Sequence, residues 1–182
     1  MRILTVTKHL GPGGIQRAAQ NYVRGYRTNG HDVACLCLKE GGSRADALQE
    51  EDIPVFVGGA SDDRRRASIE KACAWNPRVV HIHRAGPSDP VMSPAVRQLR
   101  DQLGPEPAFL ETNSFGKVDY STKQDFVDLH LMKARWALWK WQQWARHYSS
   151  KTVGTVIPNT VDTDAFYPVS REDQLKFRRE YD

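Results

Sequence analysis

The sequence predicts a doubly wound α/β domain: a mainly parallel sheet with helices on both faces. Three observations carry that expectation. Strand-type apolar segments alternate with helix-type segments along the whole chain, and such alternation lays crossover helices over a parallel sheet. The strand segments are short and nearly all apolar, as in Ile3-Leu4-Thr5-Val6, which suits strands buried on both faces. The 182 residues suffice for one such domain with a substantial core and hardly for two.

The elements follow in order. A strand at Ile3–Thr7 runs into Lys8-His9-Leu10-Gly11-Pro12-Gly13-Gly14 and then a helix, Gly14–Thr28, closed by Asn29-Gly30, residue types that accept the left-handed conformation. A strand at Val33–Leu38, a short helix at Arg44–Glu50 and a strand at Pro54–Val57 come next. Ser61-Asp62-Asp63 opens a helix over Asp63–Trp75, and Asn76-Pro77 stops it, because proline disfavours a helical residue before it. Strands at Val79–His83 and Ala108–Glu111 flank a helix at Pro90–Gln102. Strands at Leu129–Met132 and Val153–Ile157 flank a tryptophan-rich helix at Arg135–Tyr148. After the turn-rich Pro158-Asn159-Thr160-Val161-Asp162, a charged helix spans Ser170–Tyr181, and Ser170-Arg171-Glu172-Asp173 resembles a capped start. That helix finds little partner surface in the sequence. Residues 1–168 are therefore read as one domain, and 169–182 as the lead into a further, C-terminal domain absent from this sequence.

Composition narrows the class. Hydrophobic content of 40% and charged content of 26% fit a soluble globular chain. No apolar run approaches the roughly 20 residues that cross a bilayer, and the N-terminus enters strand pattern with no leader, so a cytoplasmic protein is expected. Cys35, Cys37 and Cys73 read as small apolar packing groups; no metal and no disulfide framework are expected. The net charge of +4 is a mild basic bias. Its densest cluster, Arg64-Arg65-Arg66, reads as a solvated first helical turn, and no nucleic-acid partner is expected.

The chemistry concentrates at the first turn. A helix start carries backbone N–H groups without intrahelical partners and a partial positive charge, a seat for phosphate or another anionic oxygen. Gly13 and Gly14 let a ligand approach that backbone. A dinucleotide fingerprint would need G-x-G-x-x-G, and its third position here is Gln16. Arg17, one turn in, faces either an anionic ligand or solvent. His81 and His83 project to one strand face. His81 reads as buried and hydrogen-bonded, whereas His83 and Arg84 sit at the strand's carboxyl end, where open α/β sheets bind ligands. Glu111-Thr112-Asn113-Ser114 ends the next strand in the same way, as a site or as a loop network. On the tryptophan helix, Trp136 and Trp139 share one sector, and Trp141, Trp144 and Tyr148 another. One sector packs on the sheet, and the other meets a neighbouring domain or a membrane surface.

Four stretches then carry a resemblance: Met1-Arg2-Ile3-Leu4-Thr5-Val6-Thr7 with Gly11-Pro12-Gly13-Gly14-Ile15-Gln16-Arg17, Val79-Val80-His81-Ile82-His83, Phe109-Leu110-Glu111-Thr112-Asn113, and Ile157-Pro158-Asn159-Thr160-Val161-Asp162 through Pro168. Together they resemble the N-terminal half of glycosyltransferase family 4 enzymes, and the likeness covers nearly the whole chain. It implies the first, Rossmann-like domain of a GT-B fold. It also implies transfer of a sugar from a nucleotide-sugar donor, with retention of configuration, to a glycan or lipid-linked acceptor. No cofactor or metal is implied beyond the nucleotide-sugar co-substrate. By resemblance Gly13 and Gly14 face the donor phosphates and the reacting sugar; Arg17 joins them as a donor-side candidate, and His83, Arg84 and Asn113 are the candidates for contact with the acceptor or a sugar. Gln16 stands where the family often has Glu, Thr160 where it has Gly, and Asn113 where many members have a histidine. The absent second domain would be the chief partner, leaving this chain inactive alone. Peripheral contact with the inner membrane face would run through Trp136, Trp139, Trp141 and Trp144. The rival readings are a non-catalytic glycan- or partner-binding module and a dinucleotide-binding oxidoreductase domain.

Overall fold

A computed structural model of the chain describes residues 1–84, 89–118, 126–145, 153–161, 163 and 166–181. The strands are β1 Arg2–Thr7, β2 Asp32–Cys37, β3 Val55–Val57, β4 Val79–Arg84, β5 Ala108–Asn113, β6 Leu129–Met132 and β7 Val153–Val156. The helices are α1 Gly14–Thr28, α2 Ser43–Glu50, α3 Asp62–Ala74, α4 Met92–Leu103, α5 Arg135–Ala145 and α6 Arg171–Tyr181. All seven strands form one sheet in the order β3-β2-β1-β4-β5-β6-β7, and every neighbouring pair is parallel. This is the Rossmann-like α/β fold that the alternation predicted.

The winding explains where the helices lie. From β1 the chain moves outward to β2 and β3, crosses back through α3 to β4, and then moves outward the other way. Right-handed crossovers therefore put helices on opposite faces for the two directions. On the first face, α1 and α2 bring Val23, Ala45 and Leu48 onto Val33, Cys35 and Cys37. On the second, α3 and α4 bring Ile69, Ala72, Met92 and Leu99 onto Leu4, Val6, Leu36, Val80, Ile82 and Phe109. Further along the second face, α5 packs Ala137 and Trp141 against Met132 and Val118.

The expected punctuation is present. Gly30 and Asn76 have φ of 78° and 55° after α1 and α3. Ser61 Oγ accepts from the Arg64 amide at 3.3 Å, and Ser170 Oγ accepts from the Asp173 amide at 3.0 Å. The differences lie at element ends. The strand expected to stop at Glu111 continues to Asn113, paired to Arg84 on one side and Met132 on the other. The helix expected from Pro90 begins at Met92, because Asp89 Oδ1 accepts the amides of Val91 and Met92 at 2.8 and 3.0 Å. The expected continuation of the tryptophan helix over 146–148 lies outside the described residues.

Candidate functional site

The winding reverses between β1 and β4, which are adjacent and paired from Ile3↔Val79 to Thr7↔His83. A reversal opens a crevice at the strands' carboxyl ends, where loops diverge to opposite faces. The β1–α1 turn and the end of β4 flank it, so the sequence's two strongest candidates meet at one topological point.

The β1–α1 turn is held in large part by neighbouring loops. Leu10 donates its amide to Gly41 O and accepts from the Arg44 amide, at 2.9 and 3.1 Å. Gly42, at φ 83°, lets the β2–α2 turn touch the first: a Cβ there would lie 3.0 Å from Gly11 Cα. Lys8 Nζ pairs with Asp89 Oδ2 at 2.8 Å, which ties the turn to the start of α4. Burial alone would raise the Asp89 carboxyl, but the Lys8 bond and two backbone amides outweigh it and hold the group below its ordinary range.

At the turn's end, Gly13 takes φ 137° and α1 begins with no side-chain cap. Gly13 and Gly14 are exposed. A Cβ on Gly13 would collide with Gln16 Oε1, whereas a Cβ on Gly14 would meet nothing within 4 Å. Packing does not demand glycine at position 14. Gln16 itself turns aside: its Nε2 lies 3.1 Å from His9 Nε2. The first amides of α1 are thus left for solvent or a ligand. Arg17 is exposed one turn further on.

His81 and His83 lie on the α1 face of β4. His81 is wholly buried, with Tyr26 Oη 2.9 Å from Nδ1 and Thr112 Oγ1 2.8 Å from Nε2. Burial pushes its pKa down to about 3 and raises that of Tyr26. Tyr26 therefore remains a neutral phenol, and the neutral imidazole has one hydroxyl at each ring nitrogen. His83, 1% exposed, stacks 4.2 Å from the His81 ring and 5.3 Å from Tyr22. Among the described residues neither of its ring nitrogens has a hydrogen-bond partner. Burial, the His81 ring and the Lys133 ammonium hold it far below its ordinary pKa. It is a neutral imidazole with a free donor and a free acceptor at the carboxyl end of β4.

Arg84 and Asn113 point to the other face. Arg84 Nη2 donates to Glu111 Oε2 at 2.7 Å and Nη1 to Ser93 Oγ at 3.2 Å, all beneath α4. Asn113 Nδ2 donates to Lys117 O at 2.7 Å, and its Oδ1 accepts the Lys117 amide at 3.3 Å. Both are buried and committed to the protein. The fold thus gathers Gly13, Gly14 and His83 around the crevice and the α1 face, while Arg84 and Asn113 brace the loops on the far side.

Sequence reasoning missed three contributors. Gly41 and Gly42 seat the first turn, and the Gly-Gly pair right after β2 signalled it. Lys133 follows β6 at the same rim, and strand alternation after Leu131 puts it on the His83 face. Burial lowers its pKa. Among the described residues no three or more His, Cys, Asp or Glu side chains gather as a metal site. A separate cleft of about 800 Å3 opens beside the last turns of α1. There Arg24 grips Glu51 with two nitrogens, and Asn21 Nδ2 donates to Thr160 O.

No family model matches the chain, and no curated protein matches it. Among solved structures it is similar to the crystal structure of a glycosyltransferase from Rickettsia africae ESF-5, with a TM-score of 0.63 and 18% sequence identity. The match covers 99% of this chain and 49% of that one, so the chain spans about half the length of that enzyme. At this identity the likeness establishes the fold: a seven-stranded, Rossmann-like domain of the kind found in a glycosyltransferase.

Proposed function

We propose that the chain is the acceptor-side half of a retaining glycosyltransferase, with its β1–α1 turn at the phosphates of a nucleotide-sugar donor. The observation that carries this reading is the uncapped, exposed start of α1 at the winding reversal, with glycine at position 14 where packing leaves room for a side chain. When a sugar leaves a nucleoside diphosphate, negative charge grows on the phosphate oxygens. Fixed N–H donors at a helix start stabilise that charge without reorganising. The likeness to half of a glycosyltransferase supports the same reading.

The donor would be gripped from its other side by a second domain, so half a cleft positions nothing and the isolated chain turns over no nucleotide sugar. The test is calorimetric titration with a UDP-sugar, a GDP-sugar and NAD, on wild type and on Gly14→Ala. Weak nucleotide-sugar binding that the variant loses supports the reading. Tighter binding of NAD, or nucleotide-sugar binding indifferent to Gly14→Ala, overturns it.

A further inference from the structure

Helix α5 carries a face that the domain does not use. Its inner side is full: Ala137 and Trp141 are buried, and the Trp141 ring lies 5.2 Å from His130. Gly154 leaves the room Trp141 needs, since a Cβ there would stand 2.9 Å from the indole. Of the four tryptophans on this helix, Trp141 is therefore inside, 5% exposed. Trp136 and Trp139 are 59% and 60% exposed and Trp144 is 51% exposed. At 100° per residue, Trp136 and Trp139 point opposite the Ala137–Trp141 stripe, with Trp144 on the flank. The Lys140 ammonium stands 5.0 Å from the Trp136 ring centre.

The stretch of chain that carries α5 has charge of one sign. Residues 129–161 hold five of the chain's 26 Lys and Arg residues and none of its 22 Asp and Glu; the other 21 cations are outnumbered by those 22 acids. The net positive charge of the whole molecule therefore resides in this one stretch. A partner suited to this helix accepts two outward indoles and carries negative charge. Indoles settle at the boundary between acyl chains and headgroups, and Lys and Arg reach up to lipid phosphates. The described helix has 11 residues, about 16 Å of rise, far short of a bilayer core. Among the described residues no helix is long and apolar enough to cross a membrane.

We propose that α5 lies flat on an anionic lipid surface, with Trp136 and Trp139 inserted at the headgroup boundary and Lys140 and Arg135 over the phosphates. The docking goes beyond sugar transfer and stands without it. Where both hold, the geometry joins them: α5 starts three residues after β6, at the rim that bears the β1–α1 turn. The crevice then opens close to the headgroups.

The experiment is sedimentation of the full chain with phosphatidylcholine vesicles and with vesicles containing phosphatidylglycerol. Wild type is compared with Trp136→Ala/Trp139→Ala and with Lys140→Glu. The double variant changes two exposed side chains and the Lys140 variant a half-buried one, and far-UV circular dichroism checks that they fold. Wild type should pellet with the anionic vesicles, with a blue shift in tryptophan emission. The double variant should bind about tenfold more weakly or less, and Lys140→Glu should lose the preference for anionic lipid. Equal pelleting of wild type and double variant overturns the proposal, as does failure of wild type to pellet. Association of wild type with itself through these tryptophans, seen by ultracentrifugation without lipid binding, assigns the face to a second copy and overturns it too.

Discussion

His83 and Arg84 are chain neighbours with opposite fates, and the difference is one of strand alternation. Arg84 turns under α4 and forms a buried ion pair with Glu111 at 2.7 Å. Arg84→Met alone strands the Glu111 carboxylate and should cost about 3–5 kcal/mol in urea unfolding, whereas Arg84→Met combined with Glu111→Leu should recover most of it. His81 and His83 predict a pH dependence. Both are neutral in the fold, with His81 depressed to about 3 and His83 well below its ordinary value. An unfolded histidine protonates near pH 6.5. Below that pH the unfolded chain binds protons the folded chain refuses, so stability is full above about pH 7 and falls as pH drops. The slope is up to about 1.4 kcal/mol per pH unit for each ring. Unfolding series at several pH values check this, and His83→Leu should flatten the slope. Since neither His83 nitrogen is bonded among the described residues, that variant should cost little stability near neutral pH. The Arg84–Glu111 pairing was not legible beforehand, because an ion pair between two strands depends on register, which one chain segment does not encode. It did show that His81 and His83 share a face.

At the scale of elements, the strand–turn–helix opening was readable because its causes are local: apolar strand, glycine turn, helix pattern. The two glycines nonetheless answer to different demands. Gly13 sits at φ 137°, so Gly13→Ala should destabilise the fold by about 1–3 kcal/mol. Gly14 has ordinary helical geometry and open space around it, so Gly14→Ala should leave stability unchanged or raise it by about 0.5–1 kcal/mol. Chemical unfolding of the pair, beside the titrations described above, separates folding from ligand approach. The brace from Gly41-Gly42 and the Lys8–Asp89 tie were less legible, since both join loops far apart in sequence. Asp89→Ala removes the cap of α4 and the partner of Lys8 together, and a loss of about 1–2 kcal/mol in the same assay is expected.

For the molecule as a whole, alternation of pattern was enough to foretell seven strands in one parallel sheet, because each βα unit must cover the sheet it builds. What pattern did not supply was which sector of the tryptophan helix packs inward, a choice that Gly154 and the His130 ring decide from neighbouring strands. The sheet's centre has a practical corollary. Cys35 and Cys37 lie on β2 beneath α1 and α2, and burial pushes the Cys37 thiol up to about 11 and Cys35 higher still. An alkylating reagent attacks only thiolate that it can reach. In the native protein it should label Cys73 at most, and slowly, since that thiol too is raised to about 11. The two central sulfurs then become a clock: the rate at which they acquire label counts how often the strands part.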